Sequence, residues 1–204
     1  LAACQAIGHW ANPPSLDLVD GRRRNPAGDR VIDREFVTSL LTQLVQNSET
    51  EIRVAAVKAS RQLMIRLAPE ALVTLARDTE SPESLRVEAL QSLAADSNID
   101  QGDRNLLFVE LAKDSSPSIA SSAIGLLAAS NGEAAMTVIR SELGNAATPV
   151  RQACIAALAQ LERPAADTLL IELADQFIEG TLPSSVQLDL WLALKTRASD
   201  SETI

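Results

Sequence analysis

The chain has 204 residues, 46% of them apolar, and it carries 18 Lys and Arg against 27 Asp and Glu, a formal net charge of -9. This composition suits a folded protein with a sizeable core, and the excess of acid disfavours nucleic-acid binding, which depends on clustered Lys and Arg. The chain has no Tyr and only 2% aromatic residues, so the side chains that usually stack on bases and sugar rings are scarce. No apolar stretch reaches the roughly 20 residues of a membrane-spanning helix, so we expect no membrane insertion.

Charge is distributed unevenly along the chain. Residues 1–68 hold nine Lys and Arg against seven Asp and Glu, a net +2, whereas residues 69–204 hold nine against twenty, a net -11. The N-terminal third is therefore the part of the chain better suited to an acidic partner.

Residues 1–10 predict the end of a helix that belongs to a preceding repeat. The segment Ala3-Cys4-Gln5-Ala6-Ile7 parallels a later helical segment, 153–157, which also contains a cysteine. We therefore expect the chain to be a fragment of a longer protein. Because Cys4 and Cys154 both lie among apolar residues, we predict two buried thiols and no disulfide.

Residues 11–32 predict an irregular connector, because three Pro, two Gly and four Arg interrupt the helical pattern there. Loops of this length are usually functional or disordered, so packing over the helices, disorder and a binding role all stay open. The run Arg22, Arg23 and Arg24 could bind a carboxylate or phosphate in forked geometry, although runs of charge are more often solvated or paired. The acids of this segment do not have the spacing of a calcium loop, so no metal is predicted.

A repeat of about 33 residues occupies the chain from residue 33 onward. Five segments begin with an apolar residue and are apolar again four and five positions later, as helical periodicity requires. They are IRVAAV (52–57), LRVEAL (85–90), IASSAI (119–124), VRQACI (150–155) and VQLDLW (186–191), with starting residues 33, 34, 31 and 36 apart. Each predicts the second helix of a helical hairpin.

An amphipathic stretch precedes each of these segments and predicts the first helix of the hairpin. The first helices are predicted at 33–46, 69–78, 103–113, 132–143 and 164–179. Pro82 and Pro117 suit the first turn of the helix that follows, and Ser81 and Ser116 are predicted to cap it. The pattern thus predicts an all-α fold, a single domain with about five hairpins over 33–204 and a partial one at the N-terminus.

The second helices resemble those of the HEAT-repeat family, in which an apolar residue at the helix start is followed by Arg. Arg53, Arg86 and Arg151 match this pattern, whereas Ala120 and Gln187 depart from it. The resemblance covers roughly residues 33–199. It implies a right-handed α-α superhelix, that is, a HEAT- or armadillo-like solenoid.

The same resemblance implies a ladder in which these arginines meet acidic residues of the hairpin turns. Asp78 and Asp114 are the candidate acids, and the ladder should be interrupted at the third and last hairpins. In the family the second helices line the concave face of the solenoid. This implies that the candidate interaction surface includes, besides Arg22, Arg23 and Arg24, the residues Lys58, Arg61, Glu88, Gln91, Ser122 and Gln152.

The second helix of the third hairpin is unusually rich in small residues, at 120–123, 125 and 128–130. Small residues let backbones approach closely, so tight stacking of neighbouring helices, or a local bend in the superhelix, is one interpretation. A shallow groove that admits a partner peptide is the other, and both stay open.

The pattern Trp10, Asn12-Pro13-Pro14, Asp17, Val19, Gly21 and Arg24 resembles a connector of large bacterial multidomain proteins. In those proteins it joins a β-propeller of the sugar-dehydrogenase type to HEAT-like repeats and a C-terminal c-type cytochrome. The resemblance implies export to the periplasm or cell surface; nothing else in the chain indicates a compartment. Since the haem motif Cys-x-x-Cys-His is missing from the sequence, no redox role is assigned to any residue here.

The chain lacks the usual signs of catalysis. His9 is the only histidine, and the eight glycines are scattered, so no phosphate-binding loop is predicted. We therefore expect no enzymatic activity and no cofactor, but a module for protein–protein interaction or interdomain scaffolding. The alternative function is an accessory spacer in an exported redox protein.

Partners are predicted to be other domains of the same chain or an extended peptide. A dimer through exposed solenoid ends is also predicted, because apolar residues crowd the last helix. These residues are Leu188, Leu190, Trp191, Leu192 and Leu194.

Overall fold

A computed structural model describes residues 2–9, 22, 33–47, 49–144 and 146–200. All regular secondary structure in these residues is helical, which confirms the predicted all-α class. The α-helices are α1 (Ala2–Gly8), α2 (Arg34–Val45), α3 (Thr50–Gln62), α4 (Pro69–Arg77), α5 (Glu83–Ala95), α6 (Gln101–Leu111), α7 (Pro117–Ser130), α8 (Gly132–Glu142), α9 (Thr148–Gln160), α10 (Pro164–Ile178) and α11 (Gln187–Asp200), and a 3-10 helix spans Ser184–Val186.

The chain divides into two compact units, Leu1–Asn98 and Ile99–Ile204. In the first unit α2 pairs with α3 and α4 with α5, and α3 contacts both α1 and α5. In the second unit the pairs are α6/α7, α8/α9 and α10/α11, and α9 contacts both α7 and α11. Within each unit, therefore, second helices of successive hairpins pack on one another, as a stack of repeats requires.

Side-chain caps explain where several helices begin. The Ser116 hydroxyl accepts from the Ile119 N–H at 3.4 Å, so the predicted cap of α7 is confirmed. Helix α6 begins two residues earlier than predicted because the Asp100 carboxylate accepts from the N–H groups of Gly102 and Asp103. The predicted Ser81 cap is wrong: its hydroxyl donates to Asp78 Oδ2 at 2.7 Å, and α5 starts without a side-chain cap.

The core consists largely of the apolar positions that the repeat predicted. The second helices bury, at no more than 5% exposure, Leu85, Leu90, Leu93, Ile119, Ile124, Leu127, Val150, Ile155 and Leu158. Both cysteines are buried, as predicted. This pattern of buried positions is interrupted in α11, where Trp191 is 57% exposed, although the corresponding residue is buried in the earlier second helices. Helices α7 and α9 each contact the second helix that follows, whereas no further described helix follows α11.

Helix α10 ends in a left-handed turn at Gly180, whose φ is 72°. The Gly180 N–H donates to the Phe177 carbonyl and the Thr181 N–H to the Gln176 carbonyl, so two of the last carbonyls of the helix gain a partner. Glycine suits this position because it has no Cβ to clash in the left-handed region.

Helix α3 ends in the same turn, but with Met64 in the left-handed position at a φ of 53°. The Met64 N–H donates to the Arg61 carbonyl and the Ile65 N–H to the Ser60 carbonyl, the pattern seen at Gly180. A side chain in this conformation costs roughly 1–2 kcal/mol. The Met64 side chain is 79% exposed, so solvent covers it and burial offsets little of this cost.

Within the described part of the chain, every helix is too short or too polar to cross a membrane.

Candidate interaction surface

Four of the predicted surface residues lie together in the first unit. Lys58 and Arg61 belong to α3, and Glu88 and Gln91 belong to α5. Arg61 Nη2 lies 3.1 Å from Glu88 Oε2, which joins the two helices by an ion pair. We call these four residues the second-helix surface.

Exposure differs across this surface. Lys58 is exposed and Gln91 is half-buried, while the side chains of Arg61 and Glu88 are 31% and 16% exposed. The charges of Arg61 and Glu88 neutralise each other, so the ammonium group of Lys58 is the charge that this surface presents to a partner.

Arg61 also borders a cavity of about 250 Å³ in the first unit. Arg61 Nε and Ser92 Oγ are buried there without a hydrogen-bond partner among the described residues. Because both atoms are inaccessible to solvent, a ligand in the cavity could not reach them without a rearrangement. We therefore assign no ligand to this cavity.

The other two predicted surface residues of the second helices lie in the second unit. Ser122 is half-buried on α7. The Gln152 amide of α9 donates to the Ser185 carbonyl at 3.0 Å and to Asp189 Oδ2 at 3.1 Å. Gln152 thus joins α9 to the last hairpin, and this contact occupies the amide that was predicted to face a partner.

The small residues of α7 lie against α9. The Ser121 hydroxyl donates to the Pro149 carbonyl at 3.2 Å, and Ala120 and Ala123 are buried. This close approach agrees with tight stacking. Gly125, by contrast, has no atom within 4 Å of the place where a Cβ would be, so the outer side of α7 is open there.

Arg22 is exposed, while Arg23 and Arg24 lie outside the described residues. The predicted anion-binding role of this run therefore stays a prediction.

In two hairpins the repeated arginine of the second helix donates a hydrogen bond to a carbonyl at the end of the preceding first helix. Arg53 Nε donates to the Val45 carbonyl at 3.2 Å, and Arg86 Nε donates to the Ala76 carbonyl at 2.9 Å. The last carbonyls of a helix have no partner inside it, so a guanidinium at this position supplies the missing donor.

Arg53 also influences the turn of the next hairpin. The pKa of Asp78 is lowered, first by the hydrogen bond from the Ser81 hydroxyl and then by the Glu80 N–H, and Arg53 adds a smaller attraction. The arginine–acid ladder that the family resemblance implies would bring such an arginine near a turn acid and lower the pKa of the acid in the same direction.

Arg53 lines a cavity of about 520 Å³ that α2 and α4 border in the first unit. The second unit has a cavity of about 450 Å³ at the corresponding place, beside α8, α9 and α10. Val150 lies 98 positions after Ile52, so Arg151 corresponds to Arg53 and Arg140 to Thr42. All four of these aligned residues line their respective cavities.

The second cavity differs from the first in its charged groups. The guanidiniums of Arg140 and Arg151 make no hydrogen bond or ion pair with any residue that the structure describes. Glu172 is the third charged side chain of the lining. Sequence reasoning missed Arg140, because the repeat aligns it with Thr42 but does not show which first-helix residues lie near the arginine of the second helix.

A buried ion pair between α10 and α11 was also missed. Arg197 is 5% exposed, and its Nη2 and Nε lie 2.6 and 3.0 Å from Asp167 Oδ1. The partners are 30 residues apart and neither belongs to the repeated motif, so the sequence offers no signal for this pair.

Two observations concern the reactive and metal-binding side chains among the described residues. Burial raises the pKa of Cys154 to about 12, and Glu142 adds to the shift, so the thiol is protonated at neutral pH and is a poor nucleophile. Among the described side chains, no three His, Cys, Asp or Glu residues come close enough to hold a metal ion.

An exposed apolar stripe runs along α11. Leu188, Trp191 and Leu192 are 68%, 57% and 48% exposed and recur at helical spacing, so they share one side of the helix. Leu190, by contrast, is buried. The stripe is the surface on which the dimer predicted from the sequence would form.

Comparison of the chain with protein-family models, with curated proteins and with solved structures gave no match.

Proposed function

We propose that the chain is a non-catalytic HEAT-like repeat module that binds other polypeptides, either a separate partner or further domains of its own protein. The observation that carries the proposal is the packing of successive second helices within each unit: α1, α3 and α5 in one, and α7, α9 and α11 in the other. Such stacks offer one side of many helices to an extended partner. The finer arrangement we propose is the right-handed α-α superhelix.

The second-helix surface is the proposed contact in the first unit. It combines the exposed ammonium of Lys58 with the half-buried amide of Gln91, and the Arg61–Glu88 ion pair holds α3 and α5 in register beneath them. A rigid base of this kind lowers the entropy that binding costs.

The proposal is tested by placing the photo-crosslinking residue p-benzoylphenylalanine at Lys58 or at Gln91 of the full chain, in the cells that produce it. The matched control position is Glu35, an exposed residue of the first helix α2. We expect a discrete polypeptide to be crosslinked from both second-helix positions, and the yield at Gln91 to fall when Lys58→Glu is added. Equal yields from Glu35, or none from the second helices, would contradict the proposal.

The alternative, a spacer in an exported redox protein, rests on the resemblance of the 11–32 connector. Apart from Arg22, this connector lies outside the described residues. The spacer function thus stays a prediction from the sequence.

A further inference from the structure

Two arginines line the cavity of the second unit, and the place of one of them, Arg151, in the repeat calls for a partner. In the first two hairpins the equivalent arginines, Arg53 and Arg86, donate to a carbonyl near the end of the preceding helix. Arg151 occupies the same place in the fourth hairpin, yet its guanidinium bonds to no described residue.

Both partners of Arg53 have counterparts in the fourth and fifth hairpins, but neither bonds to Arg151. By the 98-residue offset the carbonyl that corresponds to that of Val45 belongs to Leu143, and Arg151 makes no hydrogen bond to it. The acid that corresponds to Asp78 is Glu179, since each is the C-cap residue of a first helix, and Glu179 makes no ion pair with Arg151. Arg151 therefore lacks both partners that Arg53 has.

The surroundings of Arg151 favour a single negative charge. Arg140 and Arg151 against Glu172 give the lining a net charge of +1. This is a local exception, because residues 99–204 carry seven Lys and Arg against fourteen Asp and Glu. A carboxylate matches the lining, whereas a phosphate monoester, with about -1.5 to -2 charges, would leave excess negative charge beside Glu172.

The rest of the cavity favours a ligand with an apolar part. Its walls include Ile155, Leu169 and Leu173, and its volume is about 450 Å³. An empty apolar cavity of about 150 Å³ can hold a benzene molecule, so this one accommodates an acidic side chain together with an apolar neighbour.

We propose that this cavity binds an acidic side chain of a partner polypeptide, with its carboxylate on Arg151 and Arg140 and an adjoining apolar residue against the leucine wall. The inference rests on the proposed function in taking the partner to be a polypeptide. It adds a second contact, separate from the second-helix surface, and it names the chemistry recognised there. The carboxylate takes the role that Asp78 has beside Arg53.

The test titrates the full chain with acetyl-Leu-Glu-Leu-amide, with its neutral analogue acetyl-Leu-Gln-Leu-amide and with inorganic phosphate at low salt. Binding is measured by calorimetry and by the NMR signals of the arginine Nε–H groups. We expect the Glu peptide to shift the Arg151 signal and to bind about tenfold more tightly than the Gln peptide, because charge-assisted hydrogen bonds are about twice as strong as neutral ones. Raising the salt concentration should weaken the binding.

Three variants locate the contact. Arg151→Gln should weaken binding of the Glu peptide about tenfold, and Arg140→Thr, which installs the residue found at position 42, should weaken it less. Arg163→Gln is the matched control, since it removes the same charge from an exposed site of the same unit that does not line the cavity, and it should change nothing.

Equal binding of the Glu and Gln peptides, tighter binding of phosphate, or an unchanged affinity in Arg151→Gln would overturn the inference. The two proposals fail separately. Crosslinks from Lys58 that persist in a chain whose cavity binds no peptide leave the proposed function standing. If a peptide binds at Arg151 but Lys58 and Gln91 give no crosslinks, the cavity contact stands and the proposed second-helix contact is wrong.

Discussion

The first and fourth hairpins carry an arginine at the same position of the second helix and use it differently. Arg53 closes the end of α2 through the Val45 carbonyl and lies near enough to Asp78 to lower its pKa, whereas Arg151 faces a cavity. The carbonyl that corresponds to that of Val45 belongs to Leu143 by the 98-residue offset, and Arg151 makes no hydrogen bond to it. A repeated residue therefore need not make the same contact in every hairpin.

The largest expected effect comes from replacing each of the two arginines with methionine. Arg53→Met leaves the part-buried Val45 carbonyl without its donor and should lower the free energy of unfolding by about 1–2 kcal/mol. Arg151→Met removes no internal contact, so we expect a change within about 0.5 kcal/mol. Urea denaturation followed by circular dichroism measures both values, and equal losses would show that the two arginines have the same role.

A second comparison concerns the two left-handed turns. Gly180→Ala should cost about 1 kcal/mol of stability through backbone strain alone, because no atom lies within 4 Å of the new Cβ. Met64→Gly relieves the same strain in the other unit and should stabilise the chain by up to about 1 kcal/mol. The gain is reduced because glycine increases the conformational entropy of the unfolded chain. The pair is measured by thermal unfolding at one pH. Effects of the same sign would contradict this account of the turns.

The smallest expected effect is a change in the pKa of Asp78. Because this pKa is lowered in the folded chain, the stability it provides is present above the unfolded pKa and is lost as the pH falls through the folded one. Ser81→Ala removes the largest cause and should raise the pKa of Asp78, while Arg53→Met should raise it less. An NMR titration of the Asp78 carboxyl group below pH 5 reports both shifts, and a larger shift from Arg53→Met would reverse the assigned order of causes.

The periodicity of the sequence was enough to predict most of the helices. The spacing of the apolar segments placed every second helix, and the amphipathic pattern alone placed the start of α8 at Gly132, where no proline marks it. The exposure of Trp191 was not predictable in this way, because burial of a repeat position depends on whether another helix covers it.

The candidate site was only partly predictable, because contacts between side chains of different hairpins decide it. Lys58, Arg61, Glu88 and Gln91 do belong to two helices that pack on one another, α3 and α5, and Arg61 contacts Glu88. Whether Arg151 bonds to the end of α8, as Arg53 bonds to the end of α2, depends on the geometry of the turn rather than on the apolar pattern.

The packing of each unit also bears on how the chain folds. The main helix contacts of a unit join helices no more than two apart along the chain. Such short-range contacts close small loops and so require little loss of chain entropy before they form, which favours rapid folding. Within each unit, a hairpin can therefore dock onto the one before it as the chain emerges from the ribosome, without waiting for distant segments to be synthesised.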